Sequence, residues 1–169
     1  MSTELAVQLY RSGRAHAAAS CLLYRAAVEY AKTTDEIKVD PLDYAFNGTY
    51  SLSIHYLLGL GLELLMKAII AACDAEVDEK YLKTEVGHDL VKALDEAEQR
   101  GFKSEAEHLR EMAELLRDPY MQHWLRYKQP PQMPLPGDFD QVVKLLEIFD
   151  SEVAAMLTSA EGGEAKVSS

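Results

Sequence analysis

Cysteine is nearly missing from this chain, with only Cys21 and Cys73 among 169 residues. Two cysteines without a Cys-x-x-Cys pairing give neither a disulfide framework nor a thiolate zinc site. Both stand in apolar helical stretches, so both are expected as reduced, buried thiols. Glycine and proline are also few, nine and six. Uncharged apolar runs long enough to cross a bilayer are missing as well. The most apolar stretch, Leu57 to Cys73, is interrupted by Glu63 and Lys67, short of the roughly 20 uncharged residues a span needs, and reads as a core helix. The first residues, Met1-Ser2-Thr3-Glu4-Leu5, lack a basic start and an apolar run, so no signal peptide and a cytoplasmic location are expected.

Basic residues are outnumbered, 17 against 28 acidic ones, for a formal charge of −11. An acidic surface repels phosphate backbones at long range, which argues against broad nucleic-acid binding and leaves room only for a local basic pocket. A basic partner protein suits the charge better. Chemical signatures are equally sparse. There is no His-Glu-x-x-His, no glycine-rich phosphate loop and no nucleophile elbow. Glu105-x-x-His108 is half of a di-iron carboxylate motif, but such sites need it twice, and it occurs once. Neither metal nor cofactor is expected.

What remains is 48% apolar residues patterned at the helical period, with no strand alternation and no internal repeats. The length suits one domain, residues 1–158, followed by a frayed Gly-, Ser- and Glu-rich tail, residues 159–169. A first helix is expected over Thr3 to Lys32, with a face of mostly small residues (Gly13, Ala17, Ser20 and Ala27 among them) that admits close approach of another helix, within the subunit or across a dimer interface. A loop through Asp40-Pro41 to Asn47-Gly48 follows. The second helix, about Thr49 to Ala75, is apolar on nearly every side and should be central. Val77 to Gly87 reads as irregular. Gly87-His88-Asp89-Leu90 opens a short third helix that stops at Gly101. Ser104-Glu105-Ala106-Glu107 has the form of a capping box for a fourth helix, which Asp118-Pro119 is expected to interrupt. Lys128 to Asp138 holds four of the six prolines and reads as an extended connector. Asp138 caps a last helix whose Phe139, Val142, Leu146, Phe149, Val153 and Leu157 follow the 3.6 period. The fold class is all-α, an antiparallel helical bundle of four to six helices.

Glu63 and Lys67 carry the most information. Four residues apart and acid before base, they share a helical face. On a surface the pair contributes only ~0.3–0.5 kcal/mol. Inside a central helix, desolvation costs several kcal/mol per ion unless partners compensate. Charges in such a helix call for an exposed stripe or a polar cluster.

An apolar helix with Glu63-x-x-x-Lys67, then Gly87-His88-Asp89-Leu90 opening the next helix, then Arg126-Tyr127, resembles the HEPN family of small helical proteins over roughly residues 52–128. In that family the Arg-Tyr pair is often followed by proline, whereas here Lys128-Gln129 precedes Pro130-Pro131. The resemblance implies a HEPN-like bundle, often a homodimer, that is nucleotide- or RNA-associated or partners a protein such as a nucleotidyltransferase or an antitoxin. It marks Glu63, Lys67, His88, Asp89, Arg126 and Tyr127 as ligand-binding residues, and the expected function is a non-catalytic binding module.

Some members of the family are metal-independent ribonucleases with Arg, four to six residues, then His. Arg117 and His123 have that spacing, so a dimeric, toxin-like ribonuclease is the enzymatic alternative, with histidine moving the 2′-hydroxyl proton and arginine stabilising phosphate charge. On an unbroken helix, six steps rotate about 240°, which would part the two side chains. Arg11 and His16 also fit the spacing but lie in the first helix. Trp124 beside Tyr120 and Tyr127 is read as packing rather than a base-stacking platform. A purely structural interaction protein, its charges fixing helix register, is the third reading.

Overall fold

The computed structural model describes residues 2–125, 135–136 and 138–167, with side chains over 4–125, 135–136 and 138–159. These form an all-helical bundle without strands: α1 (Ser2–Thr33), α2 (Pro41–Asn47), α3 (Ser51–Cys73), α4 (Glu79–Tyr81), a π-helical turn (Leu82–Val86), α5 (Leu90–Gln99), α6 (Leu109–Met121) and α7 (Phe139–Val167). Arg126, Tyr127 and most of the proline-rich connector lie outside the described residues.

Helix α3 is the centre. Ile54, Leu58, Leu62, Leu65, Met66, Ile69 and Ile70 are completely buried, each contributing roughly 1.5–3 kcal/mol. By length and composition α3 is apolar enough to cross a membrane, yet 67% of its most apolar window is buried inside the protein. Its register against α1 follows from close contacts. A Cβ added to Gly61 would stand 2.8 Å from the Ala17 amide nitrogen and 3.0 Å from its Cα, and one added to Gly13 would stand 2.9 Å from the Leu65 nitrogen. The Ser20 hydroxyl donates to the Ile54 carbonyl at 2.9 Å. Rising numbers on α1 meet falling numbers on α3, so the two are antiparallel. The small-residue face of α1 is therefore occupied within the subunit.

Helix α7 is antiparallel to α1, since Tyr24 stacks on Phe139 at 3.9 Å while Arg14 reaches Asp150 at 3.4 Å. Helices α5 and α6 are antiparallel as well, through Asp89–Arg117 and Asp95–Arg110. By contrast α5 runs parallel to α3: His88 lies beside Glu63, and Arg100 beside Asp74. The α4–π-turn segment makes this possible by returning the chain to the level of Glu63.

Several local expectations are corrected. The stretch from Asp40 to Gly48 holds a helix, α2, because the Asp40 carboxylate accepts from the Leu42 and Asp43 amides and Pro41 suits a first helical turn. The supposedly irregular 77–87 region holds α4, capped by Asp78, and the π turn. No capping box forms at Ser104. Its hydroxyl donates to Glu152 at 2.5 Å, and α6 begins at Leu109, after His108 in the left-handed region. Pro119 does not interrupt α6; it sits in the last turn, where little helix remains to be disturbed. Cys73, the last residue of α3, is exposed, and Cys21 is half-buried, so neither is a core thiol.

Candidate functional site

Three successive local devices place the site. The Gly87 amide donates to the Leu82 carbonyl at 3.0 Å, closing the π turn. Asp89 then caps α5, its Oδ1 accepting from the amides of Val91 and Lys92 at 3.1 and 3.2 Å. Between them His88 is held against the middle of α3, where Glu63 and Lys67 are 3% and 6% exposed.

The Glu63 carboxylate is surrounded by donors. Its Oε1 accepts from Lys67 Nζ at 2.6 Å. Its Oε2 accepts from the Tyr120 hydroxyl at 2.7 Å and from His88 Nδ1 at 3.0 Å. A buried ion pair with added hydrogen bonds offsets a desolvation cost that the pair alone would not. Tyr120 was not singled out as a binding residue by sequence. The available signal was Gly59, where a Cβ would meet the Tyr120 ring at 2.7 Å, so only glycine lets the ring reach Glu63. His88 is the exposed member of the cluster, its side chain 61% accessible.

The neighbouring residue of the same turn forms a second pair. Arg117 donates to Asp89 Oδ2 through Nε at 3.0 Å and Nη2 at 2.5 Å. Burial pushes the Asp89 carboxyl up, but Arg117 and the Lys92 and Val91 amides outweigh it and hold the group below its ordinary value. His123, beyond the end of α6, has φ 58°, and its ring centroid lies 6.5 Å from that of His88. Arg117 and His123 therefore approach adjacent residues of one turn although α6 is unbroken. The left-handed residue after the helix, not a break at Pro119, brings His123 round.

Of the expected ligand-binding residues, Glu63, Lys67 and His88 converge and Asp89 stands beside them; Arg126 and Tyr127 fall outside the described residues. Other motifs disperse. His108 pairs with Glu111 at 2.5 Å rather than joining Glu105. Arg11 is exposed, while His16 is half-buried and lines a groove that also reaches Lys67 and His88. Trp124 is half-buried. Among the described residues no three His, Cys, Asp or Glu side chains group to hold a metal ion.

A second buried polar group was not anticipated. His55 is fully buried on the α2 side of α3, with Nδ1 donating to the Ser51 carbonyl at 2.7 Å and Nε2 without a partner among the described residues. Burial depresses its basicity below the ordinary imidazole value. A cavity of about 940 Å³ lies between α1, α2 and the start of α7, away from the Glu63 cluster; Leu135 and Pro136 at its edge adjoin residues outside the described ones. No protein-family model matches this chain, nor does any curated protein or any solved structure.

Proposed function

We propose that this chain is a HEPN-like helical module that binds a nucleotide-like ligand or a segment of a partner protein at the Glu63–Lys67–His88 cluster, without catalysing a reaction of its own. One observation carries the reading: a buried ammonium, a phenol and an exposed imidazole converge on one buried carboxylate at mid-helix. Such a set costs desolvation, adds little net stability over an apolar core, and presents oriented donors at the surface. Arg117 supports the non-catalytic side of the reading, because its Nε–Nη2 edge is engaged by the Asp89 carboxylate, which opposes its charge. The −11 charge supports a compact ligand over a long RNA.

The ribonuclease reading has one specific observation in its favour. His88 and His123 lie close enough to act as a proton-donor and proton-acceptor pair. A homodimer belongs to both readings; sedimentation at micromolar concentration tests it, a dimer being expected and a clean monomer counting against it.

The functional test is titration of nucleotides by thermal shift and calorimetry, with single-stranded RNA incubated in chelator in parallel. The expected result is saturable stabilisation of the wild type by a nucleotide, its loss in His88→Ala, and intact RNA. Cleavage by wild type that disappears in His123→Ala would replace this reading with the ribonuclease.

A further inference from the structure

Beside Lys67, a groove of about 460 Å³ runs between α1, α3 and the α4–π-turn segment. Its lining reverses the charge of the molecule. The chain as a whole carries 28 acidic and 17 basic residues, but this groove is lined by Lys67, Lys83, His16 and His88 against one carboxylate, Glu79. These groups come from three separate stretches of the sequence, and although Lys67 and His88 belong to motifs, nothing local links His16 and Lys83 to them.

Lys67 is the centre of the arrangement. It is 94% buried by its 6% exposure, and among the described residues its Nζ meets one acceptor, Glu63 Oε1. An ammonium has three donors, so two have no protein acceptor there. Glu63 does not line the groove. It lies behind Lys67, its charge already opposed by the ammonium, the Tyr120 hydroxyl and His88 Nδ1. Lys83 is exposed on the π turn and His16 half-buried on α1, and neither has a carboxylate within ion-pair distance among the described residues. The remaining wall is apolar: Leu5 and Leu9 of α1, Leu64 of α3 and Leu82 of the π turn.

We propose that this groove binds a small phosphomonoester, with Lys67, Lys83, His16 and His88 on the phosphate and the leucines against an apolar or planar body. The inference rests on the binding-module reading and names its ligand class and seat. A compact dianion fits because the donors are few, cationic and clustered; a polymer would meet the acidic surface beyond them. The volume lies within the range of small-molecule sites, and the leucine wall excludes water from one side of the ion, strengthening each contact.

The test is calorimetry at low and moderate salt, with inorganic phosphate, adenosine monophosphate and adenosine as probes. The proteins are wild type, the double variant His16→Ala with Lys83→Ala, and His88→Ala. Lys67 is left intact because removing it disturbs the core pair. Far-UV circular dichroism and thermal unfolding verify that each variant folds. The expected result is saturable binding of the monophosphate, weakened by salt, at least about tenfold weaker in the double variant, with adenosine weaker still. No binding of phosphate or monophosphate to the wild type at millimolar concentration overturns the inference. So does adenosine binding as tightly as its monophosphate. Binding unchanged in the double variant but lost in His88→Ala also overturns it, while leaving the module reading in place.

Discussion

Against α1, helix α3 offers Gly61 and the backbone of Ile54 and Leu65; against α5 and α6 it offers Glu63 and its donors. The first contact is built from small residues whose backbones nearly touch, and its strength is dispersion and burial over many atoms. The second is built from ionic and phenolic groups whose attraction does little more than offset the loss of water. The helix thus keeps its closest backbone packing on one side and its buried ion pair on the other, with Lys67 reaching the groove beside α1. A structural role alone would be served by leucines on both.

The largest expected effect comes from unbalancing the polar side. Glu63→Ala removes the shared acceptor and leaves Lys67 and Tyr120 without it, so unfolding by urea near neutral pH should show a loss of about 3–5 kcal/mol. A loss below about 1 kcal/mol would mean that the ammonium relaxes into the groove and that the pair behaves like a surface pair. The next effect comes from the apolar side. Gly61→Ala gains about 1 kcal/mol of helix propensity, but its Cβ would press on the Ala17 backbone, which cannot rotate away as a side chain can. Overpacking should dominate and leave a net loss of about 2 kcal/mol. A gain in stability would show that α1 shifts freely and that the small-residue contact is not tight.

A smaller, pH-dependent effect belongs to His55, on neither side. Its basicity in the folded protein is held below the ordinary value of 6.5 by burial, with the hydrogen bond at Ser51 opposing that shift. The unfolded chain therefore binds the proton more readily, so stability is fully present above that value and falls as pH drops below it. Unfolding free energies at about pH 7.5 and about pH 5.5 should differ more in wild type than in His55→Leu. Equal slopes in the two proteins would remove His55 from the account.

Much of this was legible in the sequence where the cause is local. The α3 core, the Asp89 and Asp138 caps and the inward face of α7 follow from spacing and from side chains that bond their own neighbours. The failures share a distant cause. Ser104 matches a capping box, yet its hydroxyl meets Glu152, 48 residues away. Tyr120 reads as core because nothing near it in sequence is charged in a way that names Glu63. The groove draws His16 from α1 and Lys83 from a π turn, two segments far apart in the sequence that only the tertiary fold brings together. The convergence of Arg117 and His123 on one turn depends on a positive φ at a non-glycine residue, a conformation that composition does not announce.

The central claim, that the Glu63 cluster serves binding rather than folding, is tested most directly by replacing the whole set at once. Glu63→Leu, Lys67→Met and Tyr120→Phe together remove charge and hydroxyl while keeping volume, so that no buried ion is left without its partner. Urea unfolding and adenosine monophosphate binding are measured on the same sample. The account predicts stability within about 1 kcal/mol of wild type and loss of binding. A fall of several kcal/mol with binding retained would contradict it and make the cluster a structural device.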